Sequence, residues 1–191
     1  MLTQVVEGVR AWISPGERRS CRRPVPSQPK QLSGLAPYPY QELEACTWQF
    51  SQRLSSGAVG VYRGFLRGVD VAVKVLEDAD GSFYDEVRAL SRLRHPNLAR
   101  LHGWGTHEHK SFLVFELLAG GSLLERLERK EFLWQQRLRA AAQAAAGLTY
   151  MVSIIPRIFH RDIRPANVLF DRSGTAKMAG YGESGAVKVS G

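Results

Sequence analysis

Four residues in two separate segments have side chains suited to phosphoryl chemistry. Lys74 ends the apolar run 71–73, and Glu86 follows on a segment with helical periodicity. A lysine that points inward from a strand is costly to leave unpaired, so Glu86 is its expected partner. Asp162 and Asn167 lie five positions apart, and they supply a carboxylate that can accept a proton and an oxygen that can bind Mg²⁺.

Each of these residues also has a simpler explanation. Lys74 could be an exposed lysine at a strand end, and Glu86 an exposed glutamate on a helix. Asp162 and Asn167 could form a surface turn in which an Asx side chain caps the backbone. The functional interpretation is favoured because two longer strings occur in one chain, Val71-Ala72-Val73-Lys74 and the eight residues HRDIRPAN from His160 to Asn167.

Hydrophobic periodicity predicts the elements that position these residues. Strands fall between Leu54 and Val75, and a second pair follows over residues 98–103 and 111–116. Four helices are predicted: residues 41–48, a segment from Ser82 that ends before Pro96, residues 123–129 capped by Ser122, and residues 134–151. The order of strands, one helix, strands and then helices predicts an α+β fold with segregated elements.

Two of the helices have a predicted buried face. The helix after Ser82 places Phe83, Val87, Leu90 and Leu93 at helical spacing, and Asp85 gives it an approximate capping box. The alanine-rich helix over residues 134–151 is expected to bury a stripe formed by Leu138, Ala141, Ala145 and Leu148.

The composition is that of a soluble domain. The chain has 191 residues, of which 44% are hydrophobic and 23% are charged, and no apolar run reaches the roughly 20 residues of a membrane helix. Glu7 and Arg10 interrupt the apolar stretch near the N-terminus, which argues against a signal peptide. The two cysteines, Cys21 and Cys46, have no metal-site spacing, and a reducing, cytoplasmic compartment is expected.

The first 37 residues are basic, with six Lys or Arg and two acidic residues. A solvated, disordered leader is the favoured interpretation. Contact with an anionic membrane or a nucleic acid is the alternative. Nucleic acid is disfavoured because Trp12 is the only aromatic residue there, and we predict no nucleic-acid partner.

The two strings named above resemble two defining motifs of protein kinases. The resemblance covers about residues 38–182, and its lead-in over residues 38–50 is similar to that of receptor-like and interleukin-receptor-associated kinases, in the tyrosine-kinase-like group. It implies a two-lobed fold divided into a basic leader (1–37), a helical lead-in (38–50), a complete small lobe (51–118) and the start of a helical large lobe (119–191). It also implies ATP and Mg²⁺ as cofactors, and protein serine or threonine as the substrate.

The resemblance assigns a role to each candidate residue. Lys74 and Glu86 hold the α- and β-phosphates of ATP, Asp162 accepts the proton of the substrate hydroxyl, and Asn167 binds Mg²⁺. Arg164 stands where the family usually has lysine, and its charge can neutralise the transferred phosphate. The adenine ring is expected to lie between Ala72 and Leu169. The backbone of the hinge residues, which include Glu116 and Leu118, is expected to hold it.

The chain departs from the family pattern in three places. Gly57 and Gly60 have the spacing of the second and third glycines of the phosphate-covering loop, but Ser55 replaces the first, and one residue is missing before Tyr62. The metal-binding aspartate is replaced by Gly180, within a Gly-Tyr-Gly sequence. The chain ends at Gly191, before the activation segment and later helices that the resemblance implies.

Two functions from different classes follow. The first is ATP-dependent phosphorylation of protein serine or threonine, weak or absent in this chain because the loss of one metal ligand costs factors of roughly 10³ and upward. The second is a pseudokinase, or kinase fragment, that binds nucleotide or a signalling partner. Tyr181 keeps an aromatic ring where the family has phenylalanine, so we expect it to pack with His160, Leu90 and Leu101 in both cases.

Overall fold

The computed structural model describes residues 34–35, 37–55, 59–77, 82–129, 132–155 and 157–181. The helices are α1 (Tyr40–Cys46), α2 (Ser82–Leu90), α3 (Leu123–Leu127) and α4 (Trp134–Ser153), with a short 3₁₀ helix at Pro165–Asn167. The strands are β1 (Gly60–Leu66), β2 (Val69–Glu77), β3 (Leu101–His107), β4 (Lys110–Glu116), β5 (Val168–Phe170) and β6 (Ala176–Met178).

The first four strands form one antiparallel sheet in the order β1-β2-β4-β3. Val71 and Val73 of β2 are fully buried on the face that α1 covers with Leu43. Because side chains alternate along a strand, Ala72 and Lys74 lie on the opposite face. This alternation puts the candidate lysine on the side of the sheet that faces the helical part of the chain.

Helix α1 is shorter than the predicted helix over residues 41–48. It ends at Cys46, where the Thr47 hydroxyl donates to the Leu43 carbonyl at 2.7 Å. The next three residues, Trp48, Gln49 and Phe50, all have positive φ angles, so the chain turns away from the helix axis there. The lead-in is therefore one short helix followed by a left-handed turn.

Helix α2 contributes Phe83, Val87 and Leu90 to the main buried apolar cluster, but it ends earlier than its apolar spacing predicts. Regular helix stops at Leu90, and Leu93 lies in a turn in which its backbone N–H donates to the Leu90 carbonyl at 3.0 Å. This shorter bond tightens the chain before Pro96, as helix ends often do. Leu93 is still buried, so the prediction that it packs in the core is confirmed. The prediction that it lies within the helix is wrong.

The segment after the sheet begins with the predicted cap. The Ser122 hydroxyl accepts from the Glu125 backbone, and the Glu125 carboxylate accepts from the Ser122 backbone, which forms a complete capping box at the start of α3. Strands β5 and β6 then form a hairpin that joins residues 97–99 through hydrogen bonds from Met178 to Asn97 and from Ala99 to Met178.

Helix α4 buries a different stripe from the one predicted. Its buried residues are Ala140, Ala144, Gly147 and Met151, whereas Leu138 is 60% exposed and Ala141 and Ala145 face solvent. Of the predicted stripe, only Leu148 packs against the main apolar cluster, and it is half-buried. A Cβ atom on Gly147 would lie 2.6 Å from the Asn97 carbonyl oxygen. The smallest side chains therefore face inward because the helix backbone lies against this loop. Among the described residues, no helix has the length and apolar character to span a membrane.

The close approach of α4 predicts an unusual response to a helix-favouring substitution. We expect Gly147→Ala to lower the free energy of unfolding by about 1–3 kcal/mol, although alanine is the better helix former, because the added methyl group overlaps the Asn97 carbonyl. The matched control is Thr149→Ala on the exposed face of the same helix, which we expect to be neutral or stabilising by a few tenths of a kcal/mol. Urea denaturation measures both, and equal changes in the two variants would contradict the packing.

Candidate functional site

The candidate site begins at Lys74, which is 5% exposed on the inner face of β2. Its ammonium group donates to the backbone carbonyl of Tyr181 at 2.9 Å. Glu86 of α2 is also buried, and within the described part of the chain its Oε1 atom has no hydrogen-bond partner. Burial raises the pKa of the Glu86 carboxyl, and the charge of Lys74 lowers that pKa by a smaller amount. The structure thus brings both predicted residues into one buried region.

Asp162 and Asn167 are joined by two hydrogen bonds. Asn167 lies at the end of the 3₁₀ helix, is 7% exposed, and donates its side-chain N–H groups to the Asp162 carboxylate at 2.7 Å and the Asp162 carbonyl at 2.9 Å. Arg164 pairs with the same carboxylate oxygen at 3.1 Å and is half exposed. The three residues predicted from the HRDIRPAN string therefore form one polar cluster.

His160 and Tyr181 connect this cluster to the buried core. The His160 ring lies 5.2 Å from the Tyr181 ring, and its Nε2 atom is hydrogen-bonded to the Ala179 carbonyl at 2.7 Å. The Tyr181 hydroxyl donates to the Met178 carbonyl at 2.6 Å, and burial raises the pKa of that hydroxyl. Leu90 and Leu101 belong to the same apolar cluster, so the packing predicted for Tyr181 is confirmed.

Gly180 lies directly against the Asn167 side chain. A Cβ atom at residue 180 would be 2.5 Å from both Cγ and Oδ1 of Asn167, and the backbone has a φ of +78°. A side chain here would meet both backbone strain and steric overlap. Asn167 cannot move aside freely, because its amide nitrogen is held by Asp162. The amide of Asn167 fills the space beside residue 180.

These residues do not fit a magnesium site of the kind that the family uses. Magnesium prefers oxygen ligands in a near-octahedral arrangement, usually with one or two carboxylates. Residue 180 supplies none, and the Asp162 carboxylate is already paired with Asn167 and Arg164. Within the described ranges, no cluster of three or more His, Cys, Asp or Glu side chains is placed to hold a metal ion.

The glycine-rich segment is only partly described, and Gly57 lies outside the described residues. At Gly60, the ring of Tyr62 folds over the backbone, and a Cβ atom on Gly60 would lie 2.7 Å from it. The Ser55 hydroxyl donates to the Val59 carbonyl at 2.6 Å and accepts from the Val61 backbone at 3.1 Å. Side chains therefore occupy places where the family pattern leaves the loop backbone open to phosphate.

The predicted adenine-binding residues lie in β2, in β5 and in the segment that follows β4. Ala72 pairs with Phe115 across the sheet, while Leu169 of β5 is half-buried and pairs with Lys177 of β6. Leu118 is also half-buried against the main apolar cluster.

Sequence reasoning missed the charged contacts that fix the hinge. The Glu116 carboxylate accepts from Lys177 Nζ at 2.9 and 2.8 Å and from the Arg100 backbone at 2.9 Å. Glu116 also lines a cavity of about 400 Å³ that Ala72 and Leu169 do not line. One feature of the sequence indicates this pair: Lys177 stands between the apolar residues Ala176 and Met178, which β6 buries.

The four-stranded sheet and helix α2 form the small lobe of a protein-kinase fold. The 160–167 loop is part of the large lobe. Residues 48–190 match the family described as protein tyrosine and serine/threonine kinase. The chain therefore belongs to this protein kinase family.

Its relatives in Arabidopsis thaliana include several receptor kinases. The chain is 39% identical over 164 residues to wall-associated receptor kinase-like 14, which covers 80% of this chain and 23% of that protein. It is 35% identical over 192 residues to the serine/threonine-protein kinase-like protein CCR4, covering 88% of this chain and 25% of that one. It is 36% identical over 159 residues to L-type lectin-domain containing receptor kinase V.5, with coverages of 76% and 24%. The chain thus spans about a quarter of the length of these relatives.

The buried carboxyl of Glu86, whose Oε1 atom has no hydrogen-bond partner among the described residues, predicts a pH-dependent stability. Because its pKa is raised in the folded state, the folded chain holds this proton more tightly than the unfolded chain, and stability falls as pH rises through that range. Glu86→Gln removes the charge, so we expect it to be more stable than the parent at neutral pH, with a difference that shrinks on acidification.

Chemical denaturation from about pH 4 to about pH 8 measures this effect. The control is Asp85→Asn, which neutralises an exposed carboxylate one position earlier that pairs with Arg88 at 2.8 Å. We expect no gain at neutral pH for this control. A Glu86→Gln variant that loses stability at high pH relative to low pH would contradict the buried, unsatisfied environment of Glu86.

Proposed function

We propose that this chain is a nucleotide-binding kinase domain with weak phosphoryl transfer to protein serine or threonine. The family uses ATP and Mg²⁺. One continuous set of contacts supports the proposal: Lys74 holds the Tyr181 carbonyl, Gly180 packs on Asn167, and Asn167 binds Asp162. A cytoplasmic location, where ATP and protein substrates are available, is part of the same proposal.

The nucleotide would lie with its adenine between Ala72 and Leu169 and its phosphates towards Lys74. Apolar side chains at one end and a buried cation at the other match the two ends of the ligand. The hinge between Glu116 and Leu118 offers backbone groups at the apolar end. We assign to Asp162 the role of accepting the substrate hydroxyl proton, since its carboxylate is held in place by Asn167.

We expect phosphoryl transfer to be weak because residue 180 is a glycine and supplies no carboxylate to hold a metal ion. Phosphoryl transfer is catalysed almost entirely by positioning and by electrostatic stabilisation of the transferred group. The residues of this chain still position a nucleotide and a base. The electrostatic part is left to Lys74 and Arg164, and the shortfall is about 10³ or more in rate.

A second candidate function is a protein-binding module. Three large apolar side chains, those of Leu133, Trp134 and Leu138, are between 59% and 65% exposed at the start of α4. Such a group is larger than the scattered apolar residues of an ordinary surface, and it favours contact with another polypeptide. This function is compatible with nucleotide binding because the two surfaces do not share residues.

Nucleotide binding is tested by thermal unfolding with ATP. Ligand at about 100 times its dissociation constant stabilises the folded chain by roughly 2.7 kcal/mol, a shift of several degrees for a domain of this size. We expect the shift to be lost in Lys74→Ala and kept in Lys110→Ala, an exposed lysine at the start of β4. Ala72→Phe, which fills the apolar end and leaves Lys74 intact, should also lose it. No shift in a cooperatively folded parent chain contradicts the proposal.

Restoring the aspartate should not restore activity. In Gly180→Asp the new side chain overlaps the Asn167 amide, so we expect a loss of stability of about 1–3 kcal/mol beyond the cost of the positive φ angle, and no gain in peptide phosphorylation. Gly174→Asp is the matched control, because Gly174 has a φ of +83° but a Cβ atom added there would have no neighbouring atom within 4 Å. Phosphorylation of a serine or threonine peptide by Gly180→Asp at a rate above that of the parent chain would contradict this account.

A further inference from the structure

We propose that the cavity beside Glu116 is an anion site that binds a phosphate monoester group. Its lining residues are mostly polar or charged: Arg94, His95, Pro96, Arg100, Glu116 and Lys177. Its volume of about 400 Å³ falls within the roughly 300–1,000 Å³ that small-molecule sites occupy. Lys74, Ala72, Asp162 and Asn167 do not line it, so this inference is independent of the proposed function.

The first observation is the charge of this cavity. Three cationic side chains line it, against the single carboxylate of Glu116. Lys177 Nζ binds that carboxylate at 2.9 and 2.8 Å, so these two residues form a neutral pair. Arg94 and Arg100 are both exposed, and in the described part of the chain neither guanidinium group has an ion-pair or hydrogen-bond partner. The cavity therefore carries two positive charges that the protein does not match.

The second observation is that backbone hydrogen bonds fix the segments that carry these charges. The chain between the two arginines is bonded to β6, because the Met178 N–H donates to the Asn97 carbonyl at 2.9 Å and the Ala99 N–H donates to the Met178 carbonyl at 2.8 Å. Lys177 is the preceding residue of β6. The backbone around the cavity is thus ordered before a ligand binds, which lowers the entropic cost of binding.

The third observation is that the lining residues have further N–H donors. His95 Nδ1 accepts from the Asn97 backbone at 3.1 Å, so the proton of the neutral imidazole lies on Nε2, which is a donor. The His95 ring is also held against the Tyr150 ring, with centroids 5.2 Å apart. The Lys177 ammonium group has three N–H groups, and its two bonds to Glu116 leave at least one without an acceptor among the described residues.

A phosphate monoester matches these features better than a carboxylate does. It carries a charge of about −1.5 to −2 at neutral pH and has three strong acceptor oxygens, whereas a carboxylate has one charge and two oxygens. Its charge therefore balances that of Arg94 and Arg100, whose planar guanidinium groups can each bind two phosphate oxygens. The phosphate could come from a phosphoserine or phosphothreonine side chain of a polypeptide, or from a small phosphate compound.

The experiment measures binding of two probes to the full chain at constant ionic strength. Inorganic phosphate is followed by phosphorus NMR, and a labelled peptide with one phosphoserine between glycine and alanine residues is followed by fluorescence anisotropy. Arg94→Gln and Arg100→Gln should each raise the dissociation constant about tenfold or more, because each removes a charge-assisted contact with the phosphate. The matched control is Arg129→Gln, which removes the same charge from an exposed arginine outside the cavity and should leave binding unchanged.

The two probes also distinguish the sources of the phosphate. Peptide binding that is at least about tenfold tighter than that of inorganic phosphate supports a phosphorylated polypeptide as the ligand, and equal or weaker peptide binding supports a small phosphate compound. The inference is overturned if neither probe binds to a cooperatively folded chain, or if the unphosphorylated peptide binds as tightly as the phosphorylated one. It is also overturned if Arg129→Gln weakens binding as much as Arg100→Gln does.

Discussion

Asn167 fixes the rest of the cleft through contacts on two sides of its amide group. The nitrogen donates to the carbonyl and the carboxylate of Asp162, and the opposite edge fills the space beside Gly180. Because Asn167 is buried, breaking either bond would leave a polar group without a partner or water. The 160–167 loop and the segment around Gly180 are therefore joined into one unit, and a side chain cannot be added between them without displacing Asn167.

This unit is joined to the sheet by a small number of long-range contacts. Lys74 donates to the Tyr181 carbonyl across the cleft, and Lys177 holds Glu116 at the hinge. The Tyr181 ring packs on His160 within the main apolar cluster. The packing of a protein kinase is thus retained around Gly180, and the same contacts that stabilise the fold leave little room for a side chain at that position.

Local rules predicted much of the fold and the members of the polar cluster, and non-local contacts account for what was missed. The burial of Val71 and the opposite orientation of Lys74 follow from strand alternation alone. The buried face of α4 was predicted wrongly because an alanine-rich helix has little apolar contrast, and the facing loop selects Gly147. The pair between Lys177 and Glu116 depends on how two distant strands meet, for which the sequence has no periodic signal.

The chain contains two asparagines, Asn97 and Asn167, and both are buried. This allows a direct test by NMR of asparagine-labelled protein with ATP and a small amount of paramagnetic Mn²⁺ in place of Mg²⁺. Asn97, whose side chain donates to the Ala176 carbonyl and not to Asp162, gives the signals for comparison. If Asn167 joins two loops and does not bind a metal, its side-chain signals broaden no more than those of Asn97. Selective loss of the Asn167 signals would place the metal beside its amide and contradict the account.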